Sequence, residues 1–91
     1  MPHYTYILSC CDATLYVGAT HHLKQRLHQH NHAKAGAHYT KTRRPVALVY
    51  AERHTSLGAA RAREAALKRW TRAEKLALCA SSRRSLKGLA S

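Results

Sequence analysis

Ninety-one residues are enough for one compact domain with one modest core and leave no room for a second. Lysine and arginine number 16 against four acidic residues, a formal net charge of +12, which directs the chain towards a polyanion, nucleic acid ahead of an anionic membrane surface. The basic residues are scattered from Lys24 to Lys87, so a single basic tail is excluded as the source of that charge.

The opening "MPHYTYIL" lacks a basic segment followed by a long apolar one, and no later run reaches membrane-spanning length. A cytoplasmic protein is expected. Its three cysteines are an odd number and Cys10 and Cys11 are adjacent, which suits neither a disulfide framework nor a spaced zinc ligand set. They read as free thiols.

The segments "YTYILSC" and "TLYVGAT" are rich in aromatic and β-branched residues and are separated by little more than "CDA". They predict an antiparallel hairpin over residues 4–10 and 14–19. Thr20 is placed to cap a helix over residues 21–33, and Gly36 marks its end. "AGAHYTKTRRP" reads as a basic loop from which Pro45 releases the chain into a third strand, "VALVYAER". Thr55 or Ser56 then opens a second helix reaching about Trp70, and Thr71 caps a third over residues 72–80. The order β-β-α-β-α-α is of the α+β class, a small three-stranded antiparallel sheet flanked by helices. Residues 1–82 form the domain, and residues 83–91 are read as a loose basic tail.

Three places break the pattern of an ordinary core. In the first helix Leu23 and Leu27 anchor the apolar stripe, and helix geometry sets Arg26 and His30 beside them. A guanidinium there is costly unless an anion or hydrogen-bonding partner meets it, or its long stem carries it to the helix edge. In the second helix Leu57, Ala60, Leu67 and Trp70 trace one stripe with Glu64 in its middle. Asp12 and Glu74 are explained by turn chemistry and the helix dipole, and Glu52 stands at a strand end. Glu64 has no such explanation beyond an ion pair, for which Arg26 is a candidate. In the hairpin, Tyr6 and Tyr16 fall close across the sheet, either as packing or as phenols put to use. Gly18 weakens a strand interior and marks the close approach of another group.

These residues converge on one sheet–helix seam. Phosphodiester cleavage needs an activator for the nucleophile, a cation over the leaving oxygen and positive charge on the phosphate. Two phenols, an arginine, a histidine and a displaced carboxylate supply those residue types.

Tyr4-Thr5-Tyr6 followed by "IL", and Tyr16-Val17-Gly18 about ten residues on, resemble the paired motifs of the GIY-YIG endonuclease superfamily. Arg26 and His30 resemble that family's helix residues, and Glu64 within "RAREAALKRW" its metal-binding glutamate. The loop "AHYTKTRRPVALVY" and "REAALKRWTRAEKLAL" are similar to the small stand-alone bacterial members, and the likeness spans roughly residues 3–80. Tyrosine replaces the first motif's glycine and threonine its isoleucine. Ala19 stands where many relatives carry lysine, so no lysine role is carried over there.

The resemblance implies a divalent-metal-dependent nuclease. Glu64 would carry one Mg²⁺ or Mn²⁺ ion. Tyr6, helped by Tyr16 and His30, would take the proton from the attacking water, and Arg26 would meet the charge on the phosphoryl oxygens. A free phenol titrates near about pH 10, so a base role calls for depression by neighbouring positive charge.

Contacts to the nucleic-acid backbone are expected from Lys24, Lys34, Lys41, Arg43 and Arg44, with Tyr39 at the rim of the groove for base stacking. That set leans towards single-stranded DNA, with branched and duplex DNA as alternatives. Repair, recombination and processing of incoming DNA are all compatible pathways. The rival class is a non-catalytic nucleic-acid-binding protein with the same fold. His28 and His32, four apart on one helix face, have a spacing that can bind zinc, but no Cys or His pair completes a tetrahedral structural site.

Overall fold

The computed structural model describes residues 2–32 and 44–81. Strands β1 (His3–Ser9) and β2 (Leu15–Thr20) form the hairpin, helix α1 (Leu23–His32) follows, and β3 (Ala47–His54) completes the sheet. Helices α2 (Leu57–Lys68) and α3 (Arg72–Ser81) close the described chain. The sheet order is β2-β1-β3 and both pairings are antiparallel, so β1 is central and β2 is an edge. The predicted order of elements and the α+β class are those observed, with boundaries moved by one to a few residues.

Alternation along β1 divides the core. Tyr6, Leu8 and Cys10 pack on one face with Leu23, Val46 and Ala51, joined by Tyr16 and Leu27, so α1 covers that face. Ile7 points the other way and packs with Val17, Tyr50 and Leu67, joined by Trp70 and Leu78, so α2 and α3 cover the second face. Ile7 and Leu67 are fully buried, each contributing about 1.5–3 kcal/mol of apolar burial. Thr5, also fully buried, donates its hydroxyl to the Ala60 carbonyl at 2.7 Å and pins α2 to the central strand.

Local chemistry sets the element ends. In the hairpin turn Ala13 has φ 67°, and Asp12 Oδ1 accepts from the Thr14 amide at 3.1 Å. The α1 start differs in detail from its prediction. Thr20 Oγ1 accepts from the His22 amide at 3.1 Å, and His22 Nδ1 in turn faces the Gln25 amide at 3.4 Å. Thr20 thus begins the turn, and His22 stands at the cap. Ser56 caps α2, accepting from the Ala59 amide at 3.1 Å. Thr71 and Glu74 form a reciprocal capping box at α3, with N···O distances of 2.8 and 3.2 Å.

One core assignment is corrected. Leu57, expected on the inner stripe of α2, is 43 % exposed because it occupies the first turn of that helix, outside the sheet contact. Ala60 and Leu67 carry the buried stripe instead.

Candidate active site

Tyr6 lies at the centre of the hairpin, 2 % exposed, opposite Gly18 in the register of β1 and β2. A Cβ on Gly18 would stand 2.5 Å from the Tyr6 phenol oxygen and 2.6 Å from Cζ. The ring therefore lies over the glycine backbone, which is the close approach that Gly18 signalled in the sequence.

Around this phenol the structure gathers the predicted group from two elements. Tyr16, two residues before Gly18 on the same face of β2, has its ring centroid 6.5 Å from that of Tyr6. His30, fully buried on α1, places Nε2 2.8 Å from the Tyr6 oxygen and its ring 5.0 Å from that of Tyr16. Arg26, one turn earlier on α1, donates a hydrogen bond to the Tyr6 phenol and another to Gln29 Oε1 at 3.0 Å. Gln29 thus orients the guanidinium. Arg26 is part-buried, with Tyr6 and Gln29 as its partners.

The direction of the hydrogen bonds follows from chemistry. A guanidinium can only donate, so the Tyr6 oxygen accepts from Arg26, and its own hydrogen goes to His30 Nε2 in the tautomer that carries the imidazole proton on Nδ1. Ionisation agrees. Burial, together with the neighbouring Tyr16, pushes the Tyr6 phenol up to about 12 against the opposing pull of Arg26. Burial and the charges of Arg26 and Arg44 push His30 down to about 4. Both groups are neutral near pH 7, an uncharged donor facing an uncharged acceptor. The depressed phenol asked of a general base is thus absent from the free protein, since desolvation outweighs the nearby cation.

Glu64 approaches from elsewhere. It is carried by α2, on the opposite face from α1, between the buried positions Ala60 and Leu67, with its side chain 22 % exposed. Its ion-pair partner is Lys68 Nζ at 3.0 Å, one turn along the same helix, rather than Arg26. Its negative charge is nonetheless felt at Tyr6. α2 packs against β2 and β1, with β2 at the edge of the sheet. Four of the five predicted catalytic residues thus form one contiguous group, and the fifth acts on it electrostatically from the far side of the sheet.

The donor chemistry around Glu64 fits one kind of metal. Among the described residues no group of three or more His, Cys, Asp or Glu side chains could enclose an ion. One part-exposed carboxylate that already holds a cation suits a hard, hydrated divalent ion whose other ligands are water and phosphate.

Of the predicted nucleic-acid contacts, Lys24 is exposed at the start of α1. Arg44 is half-buried and donates to the main-chain carbonyls of His30 and Gln29, the latter at 3.1 Å, so it ties the end of α1 to the entry of β3. Lys34, Tyr39, Lys41 and Arg43, and the tail from residue 83, lie outside the described residues.

The sequence reading passed over a second polar cluster. On the α2 face, Glu52 accepts from Arg63 Nε at 3.2 and 3.1 Å and from the Tyr50 phenol, and stands 2.8 Å from His54 Nε2. The Arg63 guanidinium lies 5.1 Å from the centre of the Trp70 ring. The alternation Tyr50-Ala51-Glu52 along β3 was the available signal: two polar-tipped side chains on one face, beneath a helix containing arginine.

Comparison with known proteins identifies the family. The GIY-YIG catalytic domain model matches residues 2–77. The chain belongs to the GIY-YIG family. It is 53 % identical over 76 residues to a UPF0213 protein of Syntrophus aciditrophicus, covering 84 % of this chain and 87 % of that one. It is 49 % identical over 74 residues to a UPF0213 protein of Staphylococcus haemolyticus, covering 81 % and 89 %. The solution NMR structure of a UPF0213 protein from Bacillus halodurans superposes with a TM-score of 0.58 at 34 % identity, covering 91 % of this chain and 87 % of that one. Among the described residues no helix is long and apolar enough to cross a membrane.

Proposed function

We propose that this GIY-YIG protein is a divalent-metal-dependent endonuclease that hydrolyses DNA phosphodiester bonds. The observation that carries the reading is the buried hydrogen-bonded chain Arg26–Tyr6–His30, packed against Tyr16 and lying within the electrostatic reach of Glu64.

In the mechanism that follows from these atoms, Tyr6 works as a relay. Its oxygen takes a proton from the attacking water while its own hydrogen passes to His30 Nε2. A free phenolate, unfavourable with the group at about 12, then never accumulates. The negative charge of a bound phosphodiester raises the proton affinity of His30 above its resting value of about 4. Arg26, fixed by Gln29, meets the charge that grows on the phosphoryl oxygens. A Mg²⁺ or Mn²⁺ ion held by Glu64 would supply positive charge at the phosphate and the leaving oxygen. To receive it, the carboxylate exchanges its pair with Lys68, whose exposed ammonium is then available to a neighbouring phosphate.

The net charge of +12 and the exposed Lys24 support backbone contacts with little sequence reading. Single-stranded DNA is the favoured substrate, with duplex and flapped DNA as its competitors and repair, recombination or processing of incoming DNA as the compatible settings. We place the activity in the cytoplasm.

One observation favours the rival reading, a non-catalytic DNA-binding protein: at rest both titrating partners are held neutral and Glu64 is already paired. End-labelled single-stranded, duplex and flapped DNA, incubated with Mg²⁺, Mn²⁺ or EDTA, separates the two. Glu64→Ala is expected to lower metal-dependent cleavage by at least roughly 10²–10³-fold while DNA affinity is kept or improved. Binding without cleavage by both proteins on every substrate would establish the rival.

A further inference from the structure

α1 carries histidines on both of its sides. His30 is fully buried against Tyr6, whereas His28 and His32 are exposed on the outer surface, one helical turn apart. Their ring centroids are 4.6 Å apart with the planes tilted by 37°. No role in the nuclease chemistry falls to either.

We propose that His28 and His32 form a two-imidazole site for a borderline transition-metal ion of the zinc, nickel or copper class, separate from the oxygen site at Glu64. An i,i+4 pair projects from one helix face, so both rings can turn a nitrogen towards one ion without backbone movement. Imidazole nitrogen suits these ions and does not attract Mg²⁺, which prefers carboxylate, phosphate and water oxygen. His32 lies in the last turn of α1 and His28 one turn before it, near the carbonyl end of the helix dipole, which favours a cation. Because the rings are exposed, water completes the coordination, and no third protein ligand is required. The contrasting pair His3, on β1, and His21, in the connection between β2 and α1, stands at 6.2 Å and edge to face, a less favourable arrangement.

The site has a consequence for the opposite side of the helix. A chelate between residues 28 and 32 closes one turn and binds only the helical form, so by linkage it stabilises that turn. His30 lies within the same turn, with Nε2 on the Tyr6 phenol. The ion would thus hold in register the residue that receives the Tyr6 proton, from outside the substrate groove.

Calorimetric titration of the intact protein with zinc chloride near pH 7.5, with melting curves at matched zinc concentrations, tests this directly. Both side chains are exposed and alanine is a stronger helix former than histidine, so the variants are expected to fold. The wild type is expected to bind zinc and melt at higher temperature with it. His28→Ala and His32→Ala should each weaken binding by at least the roughly 10–100-fold that loss of an outer-shell partner costs, and should lose the thermal shift. His21→Ala should keep both, and magnesium should produce neither. Zinc binding that is absent in the wild type, unchanged in His28→Ala and His32→Ala, or lost equally in His21→Ala would overturn the assignment. The readout does not depend on DNA cleavage.

Discussion

The two faces of the sheet each hold a buried tyrosine next to an arginine, and both phenols are pushed up to about 12. Beyond the burial common to both, the causes differ. Tyr50 is raised further because its hydroxyl donates to the Glu52 carboxylate, a partner that keeps the proton in place. Tyr6 has Tyr16 beside it, receives a hydrogen bond from the Arg26 guanidinium, which pulls its proton affinity down, and shares a hydrogen bond with a neutral imidazole. On the α2 face the arginine is met by the carboxylate of Glu52, and the cluster is complete in itself. On the α1 face, Arg26 and Arg44 donate to uncharged oxygens of Tyr6, Gln29 and His30. Two similar constellations on one sheet thus differ in composition, one fastening a helix and the other being the group to which the proposed function assigns the phosphate.

The sharpest way to break this contrast is to remove each hydroxyl in turn. Tyr6→Phe is expected to lower the cleavage rate by roughly 10²–10⁴-fold, the span associated with positioned proton transfer, while Tyr50→Phe leaves the rate within a few fold. Single-turnover cleavage of one oligonucleotide by both variants decides it, and equal losses would show that the faces are not functionally distinct.

A second effect belongs to stability. His30 is held neutral in the fold at about 4 against about 6.5 when unfolded, so between those values the unfolded chain binds more protons. Stability contributed by His30 is therefore complete above about pH 6.5 and is lost as the pH falls towards 4, by the order of 2–3 kcal/mol. Urea denaturation across that window should show the loss in the wild type, and His30→Gln should flatten it.

Gly18→Ala addresses the geometry of the α1 face alone. With the new methyl 2.5 Å from the Tyr6 oxygen, the ring must leave its place, at a cost of about 1–3 kcal/mol and with loss of the Tyr6–His30 hydrogen bond. A denaturant midpoint equal to that of the wild type would contradict the packing described for Tyr6.

The smallest expected change is on the other face. Glu52→Gln weakens the contact with Arg63 and should cost about 1–2 kcal/mol, as the cluster is partly open to solvent. Removing the carboxylate should also bring the Tyr50 phenol down towards about 10. Ultraviolet titration of the tyrosines in this variant would detect that movement, and an unchanged profile would mean that burial alone governs Tyr50.

Amino-acid order alone determined much of this protein. Periodicity and punctuation located all six elements, because β-rich runs, Ser and Thr caps and a short turn are local signals that tertiary contacts only trim. The site residues Tyr6, Tyr16, Arg26, His30 and Glu64 stood out because each places a polar group on a stripe that packing alone would make apolar. Partnership was a different matter. Whether Glu64 would pair with Arg26 or Lys68, whether Arg44 would face solvent or the end of α1, and whether Gln29 would steer a guanidinium depended on which helix covers which face of the sheet. Ionisation depended on it as well. The charge of +12 argued for a depressed phenol, but a cation spread over a surface acts through water, whereas desolvation acts at the atom. Only the tertiary structure, by burying Tyr6 over the bare backbone of Gly18, decided that desolvation prevails.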